Sequence, residues 1–127
     1  YKLPIDPTEI HNILYFAELF IGEGATMASE CAVLGTPSIY VNSLSAGSLE
    51  DQAKENLIHM FKSTDGVIDK VEEILKNDNY KTQQKIIRDK ALQKKVDVNK
   101  FMEWFILNYP NSYEIIKENP SLQYELK

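Results

Sequence analysis

The chain has 127 residues, 43% hydrophobic and 26% charged, which is the composition of one globular domain and too short for two. Its net charge is −5 and it has one cysteine, Cys31, so a disulfide framework and a zinc cluster of thiolates are excluded. It has neither an apolar run of roughly 20 residues nor a signal peptide at its start, so we expect a cytoplasmic protein without a membrane span.

The charge is unevenly distributed along the chain. Residues 1–61 contain two Lys against eight acids, whereas residues 62–95 contain nine Lys or Arg against six acids. The basic surplus alternates with acids at helical spacing, which is typical of a solvated helix face and not of a surface that binds nucleic-acid phosphates. No nucleic-acid partner is expected. The start at Tyr1, without Met, predicts that the chain is a piece of a longer polypeptide.

The first predicted elements are a short helix and a strand. Residues 6–9, Asp-Pro-Thr-Glu, combine a capping residue, a proline at the first helical position and an acid in the first turn, so a helix begins here. Residues 19–21 form an apolar run without polar alternation that is closed by Gly22. This pattern predicts a strand buried on both faces.

A second helix and strand follow. Residues 24–34 have helical spacing, Gly35 stands where helices usually end, and residues 38–41 are rich in strand formers. The helix stripe that we expect to be buried contains Met27, Cys31 and Leu34. Because strand, helix and strand are joined by short turns, they form a βαβ unit with parallel strands.

The remainder is mostly helical. The predictions are a loop at 42–48, helices at 49–58, 65–75 and 80–95, and a third short strand at 59–61. Asp97 caps a last strong helix whose apolar face contains Val98, Phe101, Met102, Trp104, Phe105 and Tyr109. We therefore expect one Rossmann-like α/β domain over residues 1–127, with a helical extension at 96–127.

The residues that indicate a binding site lie in one stretch, residues 20–38. It places a small-residue turn between a buried strand and a helix start, where free N–H groups and the helix dipole attract an anion. Gly22 and Gly24 permit a tight turn and close approach of a ligand, and the Thr26 hydroxyl adds a donor. Glu30 lies one turn after Thr26 on the same helix face, where its carboxylate can accept hydrogen bonds from a ribose diol.

The spacing alone fits two interpretations. Together these groups suit a nucleotide, but many α/β proteins have such a turn and bind nothing there, and the helix dipole alone favours a glutamate. The dinucleotide-binding fingerprint Gly-x-Gly-x-x-Gly is not matched, because Met27 stands where its third glycine belongs. The sequence also contains no P-loop motif. Glu23 lies within the turn as a solvated residue or a ligand contact. Asn42 and Ser43 follow the second strand at the same sheet edge and can line the same crevice.

The remaining reactive side chains favour structural roles. His11 and His59 are isolated and form no metal-ligand pair, so no metal or cofactor is predicted. His11 fits a surface position better than a contact with base or sugar. Cys31 lies in the apolar stripe, which indicates a buried thiol and not a nucleophile.

Residues 22–37, Gly-Glu-Gly-Ala-Thr-Met-Ala-Ser-Glu-Cys-Ala-Val-Leu-Gly-Thr-Pro, resemble the donor-binding segment in the C-terminal domain of GT-B-fold proteins. These include UDP-N-acetylglucosamine 2-epimerases and nucleotide-sugar glycosyltransferases. The segment is most similar to an uncharacterised microbial domain-of-unknown-function family of that superfamily, with a Gly-x-x-x-Thr-Met-x-x-Glu core followed by Leu-Gly-x-Pro. The region from Val96-Asp97-Val98 to Asn108-Tyr109-Pro110 is also similar to that family's ending.

The resemblance implies a nucleotide-sugar site, with a UDP-sugar as ligand, in an enzyme of microbial surface polysaccharide biosynthesis. The phosphates would contact Gly24, Ala25 and Thr26, and the ribose would contact Glu30. The complete predicted binding set is Gly22, Glu23, Gly24, Ala25, Thr26, Met27, Glu30, Asn42 and Ser43.

The chain departs from the pattern of these relatives. Their turn is usually Ser-Gly-Gly, and no Lys or Arg lies between Lys2 and Lys54 to neutralise a diphosphate. We therefore expect the catalytic residues to lie in an N-terminal domain outside this chain, and the chain alone to be inactive. The aromatic helix would pack as core, cross to that domain or pair with a second copy. The alternative function is a non-catalytic interaction or oligomerisation module without a nucleotide site.

Overall fold

The computed structural model describes residues 5–44 and 47–126. The elements are, in chain order, a 3-10 helix Pro7–Glu9, α1 Ile10–Phe16, β1 Phe20–Gly22, α2 Ala25–Leu34, β2 Ser38–Val41, α3 Gly47–Lys54, β3 His59–Phe61, α4 Val67–Lys76, α5 Tyr80–Gln93, α6 Val98–Leu107, α7 Asn111–Glu118 and a 3-10 helix Pro120–Tyr124. They form two compact units, one ending at Ala91 and the other beginning at Leu92. In the predicted loop 42–48, residues 45 and 46 lie outside the described part.

The sheet of the first unit has three parallel strands in the order β1-β2-β3. The α/β class, the parallel βαβ unit and the third short strand are thus confirmed, and the arrangement is consistent with a Rossmann-like sheet. Residues 38–40 of β2 are buried. In β1, however, Ile21 is 48% exposed, because β1 lies at the edge of the described sheet. The prediction that both faces of this strand are buried is wrong at that position.

Helices cover the two faces of the sheet. One hydrophobic cluster joins α2, α3 and the end of α5 to one face, and its members are Phe20, Ala25, Ala28, Ala32, Tyr40, Leu49, Leu57, Ile58, Met60, Ile87 and Ala91. The second cluster joins α4 to the opposite face through Leu19, Ile39, Val41, Phe61, Val67, Val71, Ile74 and Tyr80. The result is a small three-layer α/β/α arrangement.

Two helices end in left-handed caps. Gly35 has φ 77° after α2, and the Thr36 N–H donates to the Cys31 carbonyl at 2.9 Å. Asn56 has φ 59° after α3, and the Leu57 N–H donates to the Gln52 carbonyl at 2.9 Å. Both are Schellman-type ends, which satisfy carbonyls that the last helical turn leaves free. The predicted helix stop at Gly35 is confirmed.

The inner face of α5 binds further carbonyls at the ends of α1 and α2 and in the turn after α3. Lys81 Nζ donates to the carbonyls of Phe16 and Ala17 after α1, at 3.2 and 2.6 Å. Arg88 Nη1 donates to the last two carbonyls of α2, at 3.2 and 3.4 Å. Gln84 Nε2 donates to the carbonyls of residues 56 and 57 beyond α3, at 3.1 and 3.0 Å.

The basic region therefore has two different roles. On α4 the expected solvated face is present, with an exposed ion pair between Lys76 and Glu72. On α5 the expectation of a solvated face is wrong for the inner side, because Lys81 and Arg88 bind carbonyls at the ends of α1 and α2 and Gln84 binds carbonyls in the turn after α3. Cationic and amide donors are favourable there because a helix C-terminus carries partial negative charge.

The second unit is built on α6 and α7. The Asp97 side chain accepts a hydrogen bond from the Lys100 N–H at 3.1 Å, which confirms the predicted cap. The buried Ser112 hydroxyl of α7 donates to the Phe105 carbonyl of α6 at 2.6 Å. Rings on α6 stack along the helix, with centroids 5.8 Å apart for Phe101 and Phe105.

Replacement of Gln84 tests the role of α5. Gln84 is 3% exposed, so Gln84→Ala leaves two carbonyls without their donor and should lower the free energy of unfolding by about 2 to 4 kcal/mol. Urea denaturation measures the change. The matched control is Gln83→Ala on the exposed side of the same helix, which should change stability by less than about 0.5 kcal/mol. Equal effects of the two substitutions would contradict the role.

A second half-buried polar contact links β3 to α5. His59 Nε2 and the Tyr80 hydroxyl lie 2.6 Å apart, so a neutral imidazole can accept the phenol proton. Burial lowers the pKa of His59, and the Lys70 ammonium lowers it further, while Glu73 opposes the shift. The folded chain therefore favours the neutral ring.

Stability should consequently fall on mild acidification. Because the folded-state pKa of His59 is lowered, the unfolded chain binds a proton that the folded chain does not, and the free energy of unfolding decreases as pH falls from about 7 through the ordinary value near 6.5. His59→Gln should flatten this part of the curve. Urea denaturation at several pH values from about 7.5 to 5.5 measures it, and parallel curves for the two proteins would exclude His59 as the cause.

Candidate functional site

The turn between β1 and α2 forms the candidate anion site. Gly24 is the N-cap of α2, with φ −83° and ψ 109°, and the first α-helical hydrogen bond runs from the Ala28 N–H to the Gly24 carbonyl at 3.1 Å. The N–H groups of residues 25–27 therefore precede the helical ladder and point beyond the carboxyl end of β1. The first turn contains no acidic residue. This geometry favours an anionic group.

The two glycines of the turn are there for different reasons. A Cβ on Gly22 would lie 2.8 Å from the Phe20 ring, so its small size serves packing in β1. A Cβ on Gly24 would meet no described atom within 4 Å, and its extended backbone suits any residue. The space next to Gly24 is therefore open to a ligand.

The structure brings the loops after β1 and β2 together. Asn42 Nδ2 lies 3.4 Å from the Glu23 carbonyl, and Asn42 Oδ1 accepts the Leu44 N–H at 2.9 Å. Glu23 and Ser43 are both exposed. The predicted grouping of Glu23, Asn42 and Ser43 at one edge of the sheet thus matches their positions.

Thr26 and Glu30 lie on the face of α2 that points away from the core. The buried residues of the helix are Ala28, Cys31 and Ala32, and Met27 is 36% exposed. Met27 is therefore not part of the buried stripe, and this part of the prediction is wrong. Its exposure in the first turn keeps it available as a ligand contact.

Glu30 faces α1 and contacts His11 beside a shallow cavity. Its Oε1 atom lies 3.6 Å from His11 Nε2, and the two side chains are 35% and 61% exposed. A cavity of about 250 Å³ adjoins the pair and is lined by His11, Ser29, Glu30, Val33 and Leu34. Nothing in the sequence pattern signals that His11 is the partner of this carboxylate, since 19 residues separate them.

The cations that reach α1 and α2 are at the other end of these helices. Lys81 and Arg88 bind the carbonyl ends, and Lys81 Nζ also lies 4.0 Å from the exposed carboxylate of Glu18. Glu18 precedes β1 and is therefore at the edge of the sheet opposite the turn. At the turn itself, the donors that the described chain provides include backbone N–H groups, the Thr26 hydroxyl and the Asn42 side-chain amide.

Cys31 lies on the buried side of α2, behind the face that carries Thr26 and Glu30. It is fully buried, and burial, together with the Glu30 charge, raises the pKa of its thiol to about 11. The thiolate is the nucleophilic form. At neutral pH this side chain is therefore a small apolar packing group, as its place in the stripe predicts.

No family model, curated protein or solved structure matches the chain. Within residues 5–44 and 47–126, no group of three or more His, Cys, Asp or Glu side chains could hold a metal ion. None of the helices in the same part of the chain combines the length and apolar character required to cross a bilayer.

Proposed function

We propose that the turn between β1 and α2 binds the diphosphate of a nucleotide sugar and that Glu30 binds its ribose, within a cytoplasmic glycosyltransferase or epimerase-like enzyme of the GT-B type. The observation that carries the proposal is the open space at Gly24. Neither backbone conformation nor neighbouring atoms require glycine there. A ligand that approaches the backbone closely would require it.

The geometry of α2 supports the same ligand. Glu30 is six residues beyond Gly24, roughly 9 Å along the axis at 1.5 Å per residue, and helical side chains lean back toward the N-terminus. Phosphates bound to the first-turn N–H groups would therefore place the adjoining ribose near the carboxylate. The Asn42–Glu23 contact adds polar groups beside the phosphates.

The charge distribution bears on catalysis. Lys81 and Arg88 bind carbonyls at the opposite edge and Lys85 lies over the ring of Tyr15 near the end of α1, so a bound diphosphate would need cations from another domain or from the solution. We therefore expect this chain to bind the donor and the acid–base groups to come from elsewhere in the enzyme. Donor binding should then weaken with salt less than it would at a site lined by Lys and Arg.

Gly24→Ser tests the phosphate turn. The serine side chain would occupy the open space and its hydroxyl would accept a first-turn N–H, so affinity for UDP and UDP-sugars should fall at least about tenfold, the cost of one charge-assisted hydrogen bond. Thermal stability should stay the same or rise. Isothermal titration of the full-length protein measures the affinity.

Gly47→Ser is the matched control, since a Cβ on Gly47 also meets no described atom within 4 Å. It introduces the same side chain at the first residue of α3 and should leave nucleotide affinity unchanged. Unaltered UDP affinity in Gly24→Ser would contradict the phosphate role.

The second candidate function, an oligomerisation module, is favoured by the surface of α6. Val98, Met102 and Ile106 recur every four residues and are all mostly exposed, so they form an apolar stripe on one side of the helix. Such a stripe is a common site of association between copies of a chain.

Sedimentation at several concentrations tests this candidate. An apolar contact between copies should give a concentration-dependent sedimentation coefficient that Met102→Glu abolishes, because a carboxylate would be buried at the contact. Asn99→Glu adds the same charge at another exposed position of α6 and should have little effect. A monomer at all concentrations would exclude oligomerisation through this stripe.

A further inference from the structure

We infer that His11 is a positioning residue for Glu30, and that the pair makes the site selective for ribonucleotides over 2′-deoxyribonucleotides. This inference rests on the proposed nucleotide site and adds to it a further residue and a narrower ligand class. It depends on one contact between two helices, the 3.6 Å approach of His11 Nε2 to Glu30 Oε1.

The pair has little to contribute to stability. Both side chains are partly exposed, and exposed ion pairs typically contribute about 0 to 1 kcal/mol. Its effect is local: it joins the first turn of α1 to the second turn of α2 and thereby restricts the rotation of the carboxylate. Glu30 is then oriented before a ligand arrives, which lowers the entropy lost on binding.

The chemistry of the carboxylate fits a diol. An ionised carboxylate has two oxygens and about four acceptor positions. With Oε1 oriented by His11, the remaining positions can accept the 2′- and 3′-hydroxyl protons of a ribose. A 2′-deoxyribose has one of these donors missing, so one charge-assisted hydrogen bond is lost.

The surroundings leave space for the sugar. The adjoining cavity of about 250 Å³ is walled by Val33 and Leu34 beside the pair, so the carbon skeleton of a ribose can pack on apolar surface while its hydroxyls face Glu30.

The experiment compares UDP with 2′-deoxy-UDP by isothermal titration on the full-length protein. The wild type should bind UDP at least about tenfold more tightly than 2′-deoxy-UDP. Glu30→Gln should bring this ratio close to one. His11→Ala should reduce the ratio by about threefold or more, because it should weaken the binding of UDP more than that of 2′-deoxy-UDP. His11→Asn, which retains an N–H donor, should restore part of the ratio.

The controls are Glu9→Gln and Asn12→Ala, which alter an exposed carboxylate and an exposed amide near the start of α1. Both should preserve the ratio.

The possible outcomes separate the two proposals. If the wild type binds neither nucleotide, the proposed function fails and the inference with it. If it binds both equally, nucleotide binding stands and ribose selection is overturned. If it prefers UDP but His11→Ala keeps the full ratio, or loses affinity for both nucleotides equally, the positioning role of His11 is overturned.

Discussion

The binding of helix-end carbonyls by α5 is the interaction on which the first unit depends. In a parallel sheet, each helix that precedes a strand ends at the amino edge of that strand, so α1, α2 and α3 all bring free carbonyls to one edge. Lys81 and Arg88 donate to carbonyls at the ends of α1 and α2, and Gln84 donates to those of residues 56 and 57 in the turn between α3 and β3, all from a single face of α5. One helix thus ties together three others that are distant in sequence.

This arrangement also determines what the opposite edge can do. Because these helices run antiparallel to the strands, their positive ends lie at the carboxyl edge, where the strands end and open α/β sheets bind ligands. Lys81 and Arg88 are bound to carbonyls at the amino edge. A phosphate at the carboxyl edge would therefore be held by backbone N–H groups, which fits a turn of small residues.

The sequence predicts features that depend on neighbouring residues. The strands follow from short apolar runs, and the end of α2 follows from Gly35, because both signals are local. The inner face of α5 could not be predicted, since the carbonyls that Lys81 and Arg88 bind are 54 to 65 residues away. The same holds for His11 and Glu30: helical spacing fixes where Glu30 lies on α2, but not what α1 places opposite it.

The error at Met27 has a different physical origin. Residues 27, 31 and 34 have helical spacing, but so do Ala28, Cys31 and Ala32, and periodicity does not choose between overlapping stripes. Packing decides, because α2 lies against the sheet and α3, where the small Ala side chains allow close approach. The larger Met27 is consequently turned toward solvent, next to the turn between β1 and α2.

The two glycines that flank α2 differ in whether the fold requires them. Gly35 is required by the fold twice over, because its φ is 77° and a Cβ there would lie 2.9 Å from Lys85 Cγ and 3.4 Å from Lys85 Cα on α5. Gly24, at the other end, meets neither constraint. A serine there would cap α2 better, so stability alone does not favour glycine. Nothing in the described chain requires glycine at position 24, and the missing side chain leaves the backbone of the turn accessible from outside the chain.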